Sequence, residues 1–323
     1  MKIPVCGQCT RTAAWRRPWD KEYLCKLHFN KAFHRKVQRT INRHKLFDRD
    51  DKIAIGISGG KDSVVLLEIL SDIERKFPAE LIAVTIDEGI EGYREDGLKY
   101  ARNAAERAGI EHYIYSFEDR FGATLDSTLV LMGEKRLGAC SYCGIFRRKL
   151  LNEAGIKVGA TKIATGHNAD DEAQTILMNL MRGDLLKSLR SNPSDRRIVD
   201  GFVRRVKPMR WTTEQEIVLY AHLNGLPYQE MPCPNAVEAQ RGIVRDVLTQ
   251  MQEASPDAIF SILRSADGLF ALGEGAKESE VLRRVLPKIP KQCSLCGQPS
   301  ANPLCRACQV EESIAKALEK KTS

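Results

Sequence analysis

From residue 52 to residue 182 the chain alternates short apolar runs with longer stretches in which apolar residues recur every three or four positions. The runs at 52–57, 80–87 (ELIAVTID), 111–117 (EHYIYSF) and 161–167 (TKIATGH) predict strands. The stretches at 62–76, 93–108, 145–158 and 170–182 predict helices between and after them. That rhythm predicts an α/β fold, a parallel sheet with helices on both faces. From 213 onward the pattern is mostly helical, in TEQEIVLYAHLNG, NAVEAQRGIVRDVLTQMQ and SPDAIFSILRSADGLFAL, with no internal repeat. Between 31 and 49, Phe33, Val37 and Ile41 repeat every four residues, which predicts a helix with one apolar side. The expected divisions are a cysteine-rich module at 1–30, a basic linker helix at 31–50, the α/β domain at 51–275, and a second cysteine-rich module with a tail helix at 276–323.

Composition narrows the class. With 323 residues and 43% hydrophobic content the chain can bury an ordinary core. It has no run of 18 uncharged apolar residues, and MKIPVCGQCT has no apolar signal region, so the expectation is a cytoplasmic protein with no membrane partner. The net charge is only +8, but residues 31–49 carry seven Lys or Arg and a single Asp. Lys31, Arg35, Lys36, Arg39, Arg43, Lys45 and Arg49 concentrate charge where a polyanion can dock.

The ten cysteines fall into three groups. Cys6 and Cys9 in CGQC are followed after fifteen residues by Cys25 and His28 in CKLH; Cys293 and Cys296 in CSLC are followed after eight residues by Cys305 and Cys308 in CRAC. Two ligands set three positions apart lie on one tight turn, so each group reads as a closed tetrahedral zinc site, two Zn2+ in all. A disulfide framework is the bland alternative, disfavoured in a reducing compartment. The third group is odd in number: Cys140 and Cys143 in CSYC, and Cys233 in MPCPN. Spacing leaves four readings open for it, namely buried spectators, a zinc site completed by another ligand, a redox pair with a third sulfur, or three ligands of an iron-sulfur cluster.

The turn after the first predicted strand carries the clearest chemistry. In IAIGISGGKDSVVLLEIL, Gly59 and Gly60 let backbone N–H groups approach an anion, Lys61 adds a cation, Ser58 and Ser63 offer hydroxyls, and a helix N-terminus follows. This is a phosphate cradle, but not the GxxxxGK[ST] loop, because the glycines are adjacent and Asp62 follows the Lys directly. Asp87 and GHNADD at 166–171 fall at the same carboxyl edge of the predicted sheet.

SGGKDS resembles the signature of the PP-loop ATP pyrophosphatase superfamily, whose members cleave ATP between the α and β phosphates. Together with CSYCG at 140–144, GHNADDEAQT at 166–175, Cys233 and a zinc module at each end, it resembles the tRNA 2-thiouridine synthetases over nearly the whole chain. The related cytidine-thiolating enzymes typically lack the terminal zinc modules, and lysidine synthetases lack the cysteine triad. The resemblance implies ATP-dependent 2-thiolation of a tRNA uridine, with the wobble position as the expected site. It implies that Cys140, Cys143 and Cys233 hold a 4Fe-4S cluster. It implies ATP held by Ser58, Gly59, Gly60, Lys61, Asp62 and Ser63, with Gly56, Ile86 and Gly166 bordering the nucleoside. Asp62 and Asp171 are the candidates for Mg2+, and Arg147, beside Arg148 and Lys149, matches the spacing of the family's basic residue after CxxC. Cys140 and Cys233 are the thiols expected to carry sulfur if a persulfide replaces the cluster. A sulfur donor (free sulfide or a ubiquitin-like carrier protein) and a homodimer complete the partners left open. Two other classes compete: an RNA-binding protein with a vestigial nucleotide site, which intact SGGKDS disfavours, and an amide-forming PP-loop enzyme, which the triad disfavours.

Overall fold

A computed structural model describes residues 3–74, 79–133, 137–184, 187, 192–194, 199–238, 241–275 and 291–322. The last two positions of the helix predicted over 62–76, residues 239–240 of the next-to-last predicted helix, and residues 276–290 of the C-terminal division lie outside them.

A two-stranded ribbon, β1 (Trp15–Arg16) with β2 (Tyr23–Leu24), precedes a parallel five-stranded sheet that organises the chain in the spatial order β5-β4-β3-β6-β7. Its strands are β3 (Lys52–Gly56), β4 (Glu80–Asp87), β5 (His112–Ser116), β6 (Lys162–Ala164) and β7 (Arg204–Val206). The first four match the sequence prediction. The fifth was missed, because Arg204 and Arg205 mark a three-residue edge strand that lacks an apolar run. Ile53, Ile55 and Ile57 point to one face while Ala54 and Gly56 point to the other, the period-two alternation of a sheet covered on both sides.

On the first face lie α1 (Lys26–His44), α2 (Lys61–Glu74), α3 (Arg94–Ala108) and α8 (Glu214–Asn224). On the second lie α4 (Phe117–Phe121), α5 (Leu125–Met132), α6 (Ala139–Lys157) and α11 (Arg306–Thr322). A third cluster joins α7 (Ala169–Met181), α9 (Arg241–Ala254) and α10 (Ala258–Gly275). The described C-terminal residues also form the two-stranded ribbon β8–β9 (Lys291–Gln292 with Pro299–Ser300).

Three helices differ from their predicted bounds for physical reasons. α6 starts at Ala139 rather than 145, so Cys140 and Cys143 ride on its first turn; its apolar periodicity is blurred because Cys143, Phe146, Leu150 and Ala154 are buried together with Lys149 and Asn152. α1 starts directly after Cys25, so His28 is helical and shares a face with Cys25. Phe33, Val37 and Ile41 are buried as the period predicted. Lys36 breaks the pattern: it turns inward, pairs with Glu216 at 2.7 Å and lies over the rings of Trp19 and Phe260 at 4.7 and 4.8 Å. The predicted helix over 235–252 divides into a 3-10 turn at Pro234–Glu238 and α9.

The strand order places the functional edge. The chain runs outward from β3 through β4 and β5, then returns to the other side of β3 for β6 and β7. The loops after β3 and β6 therefore leave neighbouring strands on opposite courses, which opens a crevice at their carboxyl ends. Those loops are SGGKDS and GHNADD.

Candidate active site and cysteine centres

The loop after β3 is held by its own serines. Ser58 N–H donates to Ser63 Oγ at 3.1 Å, and Ser63 Oγ donates to the Gly60 carbonyl at 2.9 Å. Gly59 has φ +89°, and a Cβ there would stand 2.1 Å from the Gly97 carbonyl oxygen, so α3 packs against bare backbone. Gly166 is equally confined, since its Cβ would lie 3.0 Å from the Asp62 carbonyl carbon. These glycines bring the two loops and α3 into contact, a packing role added to the anion-binding one read from the sequence.

A cavity of about 590 Å³ opens at this edge. Gly56, Ser58, Asp62, Ser63, Ile86, Gly166, Asp171 and Arg147 all line it. Lys61 is nearby but engaged, with Nζ 3.0 Å from Asp62 and 2.7 Å from Glu214. Burial lowers its pKa, but the two carboxylates outweigh that and hold it above the ordinary lysine value. Asp62 Oδ1 accepts from Asn168 Nδ2 at 2.9 Å, and Asn168 and Asp171 form the capping box of α7. Two carboxylates at the first turns of α2 and α7 thus face one cavity, a hard oxygen donor set that fits Mg2+. Asp87 caps its own turn by accepting from Gly89 N–H, and His167 bonds Thr165 at the cavity wall.

Sequence reasoning missed the residue after Asp87. Glu88 is buried and bridges two arginines, 2.8 Å from Arg147 Nε and 2.9 Å from Arg94 Nε. Arg94 in turn donates to the carbonyls of Ser58 and Ile86 at 2.6 and 2.7 Å. Arg147 Nη2 donates to Cys143 Sγ at 2.8 Å. A continuous chain of charge runs from the Cys143 thiol to the Ser58 loop. The Glu88 carboxylate, as the largest cause, raises the Arg147 pKa, so this guanidinium stays charged. The only sequence signal was a second carboxylate at the carboxyl end of a strand.

The triad gathers at the start of α6. Cys140 Sγ reaches the Asn235 carbonyl at 3.6 Å, which joins the CSYC turn to the Cys233 segment. That segment is tied to the phosphate loop four residues earlier: Gln229 N–H donates to the Gly59 carbonyl at 2.9 Å. Cys140 is exposed, Cys233 half-buried and Cys143 buried. Burial pushes the Cys143 thiol up to about 11.

The terminal groups are tighter. Among the described residues, two sets of Cys and His atoms lie within 4.8 Å of one another: Cys6, Cys9, Cys25 and His28, and Cys293, Cys296, Cys305 and Cys308. Cys9 and Cys25 sulfurs are 3.7 Å apart, and Cys296 and Cys305 sulfurs 3.8 Å apart. A tetrahedron with metal–sulfur bonds of about 2.3 Å has edges near these lengths. Burial raises the Cys6 and Cys293 thiols, but N–H donors, among them Gln8 to Cys6 and Cys305 to Cys293, outweigh it and bring both to about 6. Both sets fit a zinc ion. The triad is not such a set: its three sulfurs do not all lie within 4.8 Å of one another.

The PP-loop domain family matches residues 29–252. The cytoplasmic tRNA 2-thiolation protein 1 of Saccharomyces cerevisiae is 36% identical over 317 residues, 97% of this chain and 87% of that protein. The chain belongs to the PP-loop family of tRNA 2-thiolation proteins. The family extends to archaea: tRNA 2-thiolation protein NcsA of Haloferax volcanii is 38% identical, with 96% of this chain and 98% of that protein covered. A solved U34-tRNA thiolase NcsA from Methanococcus maripaludis, with its [4Fe-4S] cluster, superimposes with a TM-score of 0.79 at 32% identity, covering 97% of each chain. No helix among the described residues is long and apolar enough to cross a membrane.

Proposed function

We propose that this chain is an ATP-dependent tRNA sulfurtransferase that replaces the C2 oxygen of the wobble uridine with sulfur. The observation that carries this reading is the double engagement of Arg147. Its guanidinium lines the cavity beneath Ser58–Ser63 and also donates to Cys143, so nucleotide activation and the thiol triad meet at one side chain.

The loop N–H groups, with Ser58 and Ser63, hold the pyrophosphate portion of ATP, while Asp62 and Asp171 hold Mg2+ against it. Lys61 leaves its carboxylate partners or shares them with the phosphates. Gly56, Ile86 and Gly166 line the nucleoside end. The uridine C2 oxygen attacks the α-phosphorus, and pyrophosphate leaves; the sulfur nucleophile then adds at C2, and the oxygen departs with AMP. Arg147 stabilises negative charge on the sulfur and on the leaving phosphate. Its geometry differs from that of a lysine, and the fork contacts Glu88 and Cys143 together, which a single ammonium does less well. Cys140, Cys143 and Cys233 would hold a 4Fe-4S cluster, which when bound supplies an iron site for inorganic sulfur. Free sulfide or a ubiquitin-like carrier is the donor, two Zn2+ occupy the terminal sites, and the enzyme works in the cytoplasm, as the yeast relative's name states for that protein. The four-part division at residues 30, 50 and 275, and a homodimeric state, belong to the same proposal.

Anaerobic purification tests it. Visible absorbance, iron near four and zinc near two per chain, and formation of 2-thiouridine from ATP, sulfide and unmodified tRNA are the expected results. A colourless, zinc-only protein that thiolates through a persulfide on Cys140 or Cys233 would remove the cluster but keep the reaction. A colourless, inert protein would overturn the reading.

A further inference from the structure

A second cavity, larger than the one beneath the phosphate loop, lies next to it among the described residues: about 1030 Å³, between edge strand β7, helix α6 and the C-terminal cysteine module. Arg148, Lys162, Arg204, Arg205 and Arg306 line it, against the single carboxylate of Asp48. Arg148 and Arg205 line both cavities, so they stand at the passage between them.

These two arginines differ from the other cations of the site. Arg147 has Glu88, Lys149 has Glu311, Lys162 has Asp51 and Lys207 has Glu172. Among the described residues neither Arg148 nor Arg205 makes a salt bridge, and Arg205 Nη2 donates to the Arg148 main-chain carbonyl at 2.8 Å. The Arg205 guanidinium is thereby held against the Arg148 backbone, and both arginines line the mouth of a concave site. Desolvation in the cleft, and then the Arg148 charge, push Arg205 down to about 10. Such crowding is relieved by an anion between them, and a guanidinium fork matches the oxygens of a phosphate.

We propose that Arg148 and Arg205 clamp a backbone phosphate of the tRNA strand beside the target uridine, and that the larger cavity is the channel along which that strand enters. The inference rests on the thiolation reading above, and adds where the RNA runs. Arg204 Nη1 donates to the Lys45 carbonyl at the end of α1, so the channel continues onto the helix whose Arg35 and Arg39 are exposed. Arg306, from the C-terminal module, forms its opposite wall. The same chemistry would suit a phosphate of ATP, which reaches the passage from the other side.

The test separates the two sources. With tRNA transcribed with an unmodified wobble uridine, the double variant Arg148→Ala/Arg205→Ala should bind more than tenfold more weakly than the parent at moderate salt. The slope of log affinity against log salt should fall by roughly 0.7 to 0.9, as expected when one phosphate contact is lost. Affinity for a non-hydrolysable ATP analogue should be unchanged. Arg205→Lys, which keeps the charge, should recover most of the tRNA binding. If tRNA affinity and salt slope are unaltered, or if ATP affinity falls and tRNA affinity does not, the proposal is wrong. Zinc content and thermal melting check folding. Should the double variant melt early, the exposed Arg148→Gln alone decides by the same readout. A parent protein that binds tRNA through this channel yet never thiolates it would overturn the function and leave the channel standing.

Discussion

Cys293 and Cys143 are both buried cysteines of a CxxC pair, but their surroundings are opposite. Around Cys293 three other sulfurs crowd within 4.8 Å and the Cys305 N–H donates to it, a closed four-ligand set of the size that suits a small dication. Around Cys143 the partners are a guanidinium and two more distant thiols, one of them exposed, and burial raises its pKa. A closed site spends all its valence on the protein and serves as structure. An open one has room for a reactant. The same residue type at the same CxxC spacing serves both ends because the fold decides what fills the remaining positions.

The strongest way to break this comparison is to delete one triad sulfur. Cys140→Ala, Cys143→Ala or Cys233→Ala should each abolish iron binding and thiolation while zinc stays near two per chain; loss of zinc instead would make the triad structural. Next in size is Cys308→Ala or Cys9→Ala. Each removes one zinc ligand from a module whose metal-linked folding energy is on the order of 10 kcal/mol. Proteolysis should then start in that module, and zinc should fall to about one. Glu88→Gln comes third. Buried Arg94 and the more exposed Arg147 lose their shared carboxylate, and the charge left unpaired on Arg94 costs about 3–5 kcal/mol in thermal or denaturant unfolding. Thiolation should fall with both terminal zinc sites intact; unaltered stability would mean that the chain from Cys143 to Ser58 is incidental. Lys149→Met is smaller, about 2 kcal/mol. It removes a bond to Cys308 Sγ at 3.3 Å and a salt bridge to Glu311 at 3.0 Å, while keeping the bulk of the stem. The smallest effect is expected from Arg35→Glu with Arg39→Glu on α1, which should weaken tRNA binding by more than about tenfold, or 1.4 kcal/mol, and leave both metal contents unchanged. Arg43 is left out, since it pairs with Asp267 at 3.8 Å and lies over Trp211.

Strands β3, β4, β5 and β6 were legible because each is an apolar run between turn residues, and SGGKDS was legible because its chemistry is local. The two terminal four-residue clusters were legible for the same reason: their members are paired along the chain. What escaped was non-local. Glu88 matters only because β4 ends beside both α3 and α6, and no spacing rule encodes that meeting. Arg205 reads as a surface charge until β7 is seen to pair with β6 and bring it to Arg148. Lys36 was read as one of seven phosphate-facing cations, and Glu216 with the edge-to-face rings of Trp19 and Phe260, all from distant segments, turns it inward.

The bond from Lys149 to Cys308 also has a meaning in time. α6 leaves the ribosome some 150 residues before the CRAC turn, so during synthesis the helix that bears Cys140, Cys143 and Arg147 exists without the module that later grips its middle. The contact that grips α6 therefore forms only after the CRAC turn has emerged, so the helix is fastened from a distant part of the chain.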